Sequence, residues 1–549
     1  MSDQTNARPR VLVADPIAAE GVEILRGFAD VDERHGLGAD GLIAAIPEYD
    51  ALVVRSETKV TAGAIAAATK LRIIGRAGVG VDNIDVEAAT RRGVVVVNSP
   101  TGNIVAAAEH TVALLLAMAR HIPAASAAMR DGRWERAKFV GAEVRGKTLG
   151  IVGLGKVGSE VARRAGENGL GMRLIAHDPY ANPDTALKLN VELVSMDELL
   201  AQSDFVTLHT VLNSGTRGLL SDAELAKMKP TARIINCARG GVVDEEALLR
   251  ALNENRLAGA ALDVFTKEPP FASPTIQALI ADPRVVVTPH LGASTEEAQV
   301  SVAVDVAEQL RDVFRGEAPR AAVNAPLILP ETLRALQPWM ELVEKLGYLC
   351  TQLRPSALKR AELSVAGELA QLDTRPLTTA LIKGLLEPIS EARVNLVNAQ
   401  VVAREWGLEV TESRSTTHEQ YASLVTVRVS PDGDDEETTL AGTITWGEPR
   451  IVRVDRYATD FTPRGHILMA RNLDRPGMIG KVGVILGEAG VNISHMDVGP
   501  VAAGMAPGRQ RPPGGEALMA LSLDDAPPAE AVERIRATEG IMDVRSVRL

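Results

Sequence analysis

Between Arg10 and Thr288 short, nearly continuous apolar runs alternate with longer stretches of helical character. Val11–Ala14, Ala51–Val54, Arg72–Gly75 and Val94–Val97 are rich in Val, Leu and Ile and are bounded by turn residues. Runs that are apolar throughout, instead of at every second position, are those of parallel strands covered on both faces. An Ala- and Leu-rich helix without internal Gly or Pro is predicted over about 105–120. The alternation restarts at Thr148–Val152 and recurs at Arg173–Ala176, Phe205–Leu208, Arg233–Asn236, Ala260–Asp263 and Val285–Thr288. Repeated strand–helix units of this kind specify doubly wound sheets. The pattern predicts an α/β fold with two such Rossmann-like parallel sheets, the second inserted in the first. A helix over about 294–314 would return the chain to the first sheet.

After Pro326 the texture changes. Leu327–Pro330 and a Pro-flanked helix near Trp339 mark a boundary. Strand-like Leu424–Val429 and Thr438–Thr445 flank PDGDDEE, which predicts a hairpin. From near His466 the order reads strand, helix, strand, loop, strand, helix, strand. The loop containing Pro507, Pro512, Pro513, Gly514 and Gly515 is expected to be mobile and is assigned no structure. The resulting division is 1–105 with 300–326, then 106–299, 327–460 and 464–549.

Composition narrows the function. At 549 residues the chain is too long for one core. A net charge of −12 and only 3% aromatic residues argue against nucleic-acid binding, which needs a basic footprint. Cys237 and Cys350 cannot build a disulfide framework, and no paired metal motif is present, so no metal is expected. The N-terminus lacks the apolar stretch of a signal peptide, and the longest apolar runs, such as Val112 to Ala119, fall short of a membrane span. These features lead us to expect a cytoplasmic protein with neither nucleic-acid nor membrane partners.

The first chemical motif is Gly153-Leu154-Gly155-Lys156-Val157-Gly158, between a buried strand and a helix. In that context Gly153 permits a tight turn, Gly155 lets backbone approach a pyrophosphate, and Gly158 lets helix and strand pack closely. The helix N-terminus offers free N–H groups to the phosphates. Asp178 ends the next strand, about 20 residues on, where a carboxylate accepts ribose hydroxyls and repels a 2′-phosphate. The expected cofactor is NAD.

Oxidising a 2-hydroxy acid requires a base near neutral pKa, a group that orients it, and a cation for the carboxylate. His290, Glu268 and Arg239 supply these types, and each follows the C-terminal end of a predicted strand. That is the edge where open α/β sheets bind ligands. GLGKVG, NCARGG, ALDVFTKEP and TPHLGAST resemble the signature segments of the D-isomer-specific 2-hydroxyacid dehydrogenase family. The resemblance implies that His290 is the acid/base, Glu268 its partner and Arg239 the carboxylate clamp. It further implies cofactor contacts at Val79, Lys156, Val157, Thr210, Cys237, Ala238, Asp263, Gly292 and Ala293, in addition to Arg239 and His290.

Arg55-Ser56 and Arg76-Ala77-Gly78-Val79-Gly80 follow predicted strands of the first sheet, and guanidinium forks suit a phosphate. These segments, and Gly132–Gly150, are similar to the long-form members of the family that act on 3-phosphoglycerate. That similarity implies substrate roles for Arg55, Ser56, Arg76, Gly78 and Asn103, with Arg136 reaching a neighbouring subunit's site. Gly102 and Val211 depart from residues often found there, Ser and Pro. The segment 327–460 resembles the intervening domain of the long form, an α+β unit that in some members carries an anion site; Arg450, Arg453 and Arg456 are candidates for one. The final unit resembles a ferredoxin-like ACT domain, implying Asp474 and Asn492 as contacts for an L-serine effector in a homo-oligomer, a tetramer or dimer. Two other readings stay open: a relative acting on glyoxylate, formate or 2-hydroxyglutarate, or a dinucleotide-sensing corepressor without catalysis.

Overall fold

Each apolar run predicted between Arg10 and Thr288 forms a strand, with bounds shifted by no more than about one residue. The computed structural model describes residues 8–325, 330–354, 358–390, 393–418, 420–431, 437–501 and 515–549. Most of the 327–330 junction, most of the 431–437 turn and the Pro/Gly-rich loop lie outside the described residues.

The first sheet contains β1 (Arg10–Val13), β2 (Asp30–Glu33), β3 (Ala51–Val54), β4 (Ile73–Arg76) and β5 (Val95–Asn98). They run parallel in the order β2-β1-β3-β4-β5. The second contains β6 (Thr148–Val152), β7 (Arg173–His177), β8 (Val191–Leu193), β9 (Phe205–Leu208), β10 (Arg233–Asn236), β11 (Gly259–Leu262) and β12 (Val285–Val287). Its order is β12-β11-β10-β9-β6-β7-β8, again parallel. The winding direction reverses between β6 and β9, which opens a crevice at their C-terminal ends.

The helix Ile104–Ala119 buries Leu114, Leu115 and Met118 in the core of the second sheet. The helix Glu296–Phe314 crosses back to the first, with Val306 and Leu310 seated against Gly75. A Cβ at Gly75 would come within 2.5 Å of Val306, so this crossing depends on glycine.

The third sheet holds β13 (Leu358–Gly367), β14 (Glu409–Ser415), β15 (Ser423–Pro431), β16 (Thr438–Thr445), β17 (Glu448–Val454) and β18 (Tyr457–Phe461). Its order is β14-β13-β15-β16-β17-β18; β13 and β14 pair parallel and the rest antiparallel. The expected hairpin is β15–β16, in register from Val429 opposite Thr438. Asn395 and Asn398 tie this unit to the first by donating to the carbonyls of Gly93 and Arg91 at 2.7 and 3.2 Å.

The fourth sheet holds β19 (His466–Leu473), β20 (Ile493–Pro500), β21 (Glu516–Leu523) and β22 (Ile541–Arg548), antiparallel in the order β20-β21-β19-β22. Strand alternation divides its side chains. Leu468 and Ala470 pack under the helices Met478–Glu488 and Ala529–Arg536, while Ile467 and Met469 join the core of the third unit. Among the described residues, no single helix is long and apolar enough to cross a membrane.

Candidate active site

The glycine fingerprint folds as its spacing requires. Gly153 has φ +91°, and a Cβ there would come within 2.7 Å of the His209 carbonyl. A Cβ at Gly158 would stand 2.1 Å from the Gly153 oxygen. Gly155, the N-cap of the helix Lys156–Ala165, is different: a Cβ there meets no protein atom within 4 Å. Its small size therefore leaves a cradle for something outside the protein, at a helix N-terminus suited to phosphate. Thr210 Oγ1, beyond the end of β9, is buried without a hydrogen-bond partner. Both observations fit a dinucleotide. Asp178 accepts the Leu154 N–H on Oδ2 and the Tyr180 N–H on Oδ1, each at 2.8 Å, so the carboxylate is braced against the fingerprint loop with lone pairs to spare. Gly158→Ala is expected to lower the melting temperature by ~5 °C or more and to weaken NADH binding. A melting curve and an NADH titration on the variant check this.

The adjacent strands β11 and β12 deliver Glu268 and His290 together. His290 Nδ1 lies 2.8 Å from Glu268 Oε2, and Glu268 Oε1 accepts the Phe265 N–H at 3.1 Å. Burial pushes the Glu268 carboxyl up, but the hydrogen bond and charge of His290 and the Phe265 N–H outweigh it, leaving the group below its ordinary range. The pair is partly open, with side-chain exposures of 43% and 38%, so it can be reached from the cleft.

Behind this pair lies Asp263, fully buried. Its carboxylate accepts from Thr288 Oγ1 at 2.6 Å, Leu291 N at 2.7 Å and Gly292 N at 2.9 Å, and His110 Nε2 lies 3.2 Å away. Burial alone would raise this group; donors from His110, Thr288, Leu291 and Gly292 prevail and hold it down at about 2. Cys237 Sγ stands 3.6 Å from Asp263, and burial followed by that charge pushes the thiol up to about 12. Cys237 is thus a thiol at neutral pH and not a nucleophile. His110, Cys237 and Asp263 bring possible metal-donor atoms within 4.8 Å of one another, but these atoms already hydrogen-bond within their own network.

Arg239 reaches across to the first sheet. Its Nε donates to Asp82 Oδ2 at 3.1 Å and its Nη1 to the Ala238 carbonyl at 2.7 Å. Its Nη2 lies so close to Gly80 that a Cβ there would stand 2.1 Å away. The C-terminal edges of the two sheets therefore face one another. Arg76, at the end of β4, lies between: burial, then the guanidiniums of Arg239 and Arg55, lower it to about 10. Its Nε is buried and unpartnered. Gly78 makes room for it, since a Cβ there would fall 1.4 Å from Arg76 Nη1. Arg55 is held at its backbone by Asp15 at 2.6 Å, Ser56 is exposed beside it, and Asn103 caps the start of the helix Ile104–Ala119 without a side-chain capping bond. Arg136 is exposed on the short turn Arg136–Phe139. Three buried or half-buried guanidiniums meet at one cleft; Asp82 answers the charge of Arg239, and the crowding of like charge around Arg76 favours a further anion.

In the last unit a cavity of about 320 Å³ is lined by residues that include Asn472, Asp474, Arg475 and Val498. Asn472 Oδ1 is buried and unpartnered there, a feature without a sequence signature. Asn492 does not line this cavity; its Nδ2 donates to Asp524 at 2.7 Å. Arg450, Arg453 and Arg456 do not converge either. Arg450 pairs with Asp460 at 2.6 Å, Arg453 with the Asp455 carbonyl at 2.6 Å, and Arg456 with Glu516.

The model of the D-isomer specific 2-hydroxyacid dehydrogenase NAD binding domain matches residues 112–292. The D-3-phosphoglycerate dehydrogenase intervening domain matches 335–455 and the ACT domain 466–540. D-3-phosphoglycerate dehydrogenase of Synechocystis sp. is 46% identical over 541 residues, covering 98% of this chain and 95% of that protein. The Archaeoglobus fulgidus enzyme of the same name is 44% identical, covering 98% of this chain and all of its own, 100%. Among solved structures, a glyoxylate reductase from Paecilomyes thermophila superposes with a TM-score of 0.53 at 32% identity, covering 58% of this chain and 99% of that one. Fold and site together define an NAD-dependent D-isomer-specific 2-hydroxyacid dehydrogenase. Within that class the chain belongs to the D-3-phosphoglycerate dehydrogenase family.

Proposed function

We propose that this enzyme oxidises 3-phospho-D-glycerate to 3-phosphooxypyruvate with NAD, the first step of L-serine biosynthesis. The observation that carries the substrate is the arginine cleft, above all Arg76, whose Nε is buried and unpartnered beside Arg55 and Arg239. Arg239 clamps the substrate carboxylate and the hydroxyl oxygen. Arg76 and Arg55, with Ser56, Gly78 and Asn103, receive the phosphate, and Arg136 reaches the site of a neighbouring subunit in a homo-oligomer. With Nδ1 engaged by Glu268, His290 offers Nε2 to the substrate hydroxyl and takes its proton. Glu268 holds the ring's orientation and stabilises the imidazolium so formed.

NAD, when bound, accepts the hydride from carbon 2. Val79, Gly153, Gly155, Lys156, Val157, Gly158 and Asp178 would hold its phosphates and adenosine, and Thr210, Cys237, Ala238, Asp263, Gly292 and Ala293 would complete the cofactor site. A sensor of dinucleotides has no use for the His290–Glu268 pair, which favours the enzyme over a corepressor. Asp474, on the C-terminal cavity, is the candidate contact for L-serine, and the enzyme is a candidate for feedback control. The test is initial-rate NADH formation from 3-phospho-D-glycerate, with and without L-serine. Turnover slowed by serine is expected. NADH binding without turnover would overturn the enzymatic reading, and turnover indifferent to serine would remove the regulatory one.

Repulsion between a carboxylate and a 2′-phosphate is worth on the order of a few kcal/mol. Asp178→Asn keeps an acceptor for the Leu154 N–H but removes the charge. It is therefore expected to narrow the preference for NAD over NADP by ~10-fold, read as the ratio of kcat/KM values. An unchanged ratio would contradict the ribose-binding role.

A further inference from the structure

His110 lies on the helix Ile104–Ala119, whose buried positions are mostly Ala and Leu, seven residues after Asn103. Its Nε2 is 3.2 Å from Asp263 Oδ1 and 3.1 Å from Thr288 Oγ1. The Thr288 hydroxyl spends its proton on the same Asp263 oxygen at 2.6 Å, so its lone pairs face the imidazole. Both neighbours of Nε2 are then acceptors, which fixes this nitrogen as the N–H donor, shared between them. His110 is consequently a brace between a helix and the loop that follows β12.

That loop carries an unusual backbone. His290 has φ +56°, a conformation that non-glycine residues adopt rarely and keep only where the surroundings dictate it. Most of the dictating groups belong to Asp263: its carbonyl takes the His290 N–H at 2.8 Å, a donor shared with the Thr288 carbonyl at 3.1 Å, and its carboxylate takes the N–H groups of Leu291 and Gly292. Asp263 is fully buried, and its place depends on the donors around it. Among these donors His110 alone comes from the helix behind the loop; the Cys237 thiol, at a longer 3.6 Å, comes from the end of β10, and Thr288, Leu291 and Gly292 belong to the loop itself.

We propose that His110 is a positioning residue for the oxidation: as an Nε2–H donor it anchors Asp263 and Thr288, and through them holds His290 in line with Glu268 and the substrate. The inference rests on His290 as the proton acceptor.

Two polar variants of different reach test it in the full-length enzyme. In His110→Gln the amide nitrogen extends to about where Nε2 stands; in His110→Asn it stops near the position of Nδ1. A small displacement of a reacting group can cost up to ~100-fold in rate, so His110→Asn is expected to lose roughly tenfold or more in kcat, with KM for NAD changed by less than about threefold. His110→Gln is expected to recover kcat to within about threefold of the unsubstituted enzyme. A merely structural histidine would lower both variants alike and weaken NADH binding in step with melting temperature, and that result would overturn the proposal. So would an unchanged kcat in His110→Asn. His290→Ala, assayed alongside, separates the two levels: full activity there removes the underlying reading, whereas inactive His290→Ala with normal His110→Asn removes this inference alone.

Discussion

His290→Ala is expected to lower kcat for oxidation by ~10²–10⁴-fold while the enzyme still binds NADH. The separation follows from geometry. The cofactor cradle is built by the loop after β6 and the helix Lys156–Ala165, whereas His290 stands after β12 with its Nδ1 on Glu268. Removing the imidazole leaves the substrate hydroxyl with no group to take its proton at neutral pH. Alanine also fits the backbone, since the bonds that hold 290–292 run from main-chain N–H groups to Asp263. Stopped-flow oxidation and NADH fluorescence titration on one preparation check both halves; retained turnover would contradict the assignment.

The second large effect has two signs. Arg76→Met is expected to cut kcat/KM for 3-phospho-D-glycerate by roughly 10- to 100-fold, the loss of a charge-assisted bond or two. It is also expected to leave the ligand-free melting temperature unchanged or higher. A guanidinium whose folded pKa sits at about 10, below its ordinary value, is less favourably charged in the folded than in the unfolded chain. At neutral pH its replacement by an apolar side chain of similar length relieves that cost. Opposite movements of catalytic efficiency and stability distinguish a functional arginine from a structural one. A melting temperature that falls along with kcat/KM would assign Arg76 to the fold instead.

The parallel strands were readable because burial on both faces makes them continuous apolar runs. β2, reading DVDE, and β8, reading VEL, were not, because each lies on a sheet edge where charged residues are tolerated. The grouping of Arg239, Glu268 and His290 on one sheet edge was inferable from their positions after predicted strands, and the structure brings the last two into contact. Arg239 instead meets Asp82, a partner supplied by the unit built on the other sheet.

Long-range pairings of that kind carry no local periodicity. His110 was missed for a related reason, as one imidazole on an Ala- and Leu-rich helix reads as core until its partners are seen. Gly102 departs from the residue often found at its position, and the structure explains it: a Cβ there would come within 2.7 Å of Val302. In the last unit, Asp474 borders a cavity and Asn492 does not, because the short spacing between them spans a helix whose far end turns toward Asp524.

The central claim is that the arginine cleft selects a phosphorylated 2-hydroxy acid for NAD-dependent oxidation. It is tested most directly by the ratio of kcat/KM for 3-phospho-D-glycerate to that for D-glycerate, measured with NAD on the unsubstituted enzyme. Two guanidiniums on a phosphate predict a ratio of ~100 or more. A ratio near one would contradict the account.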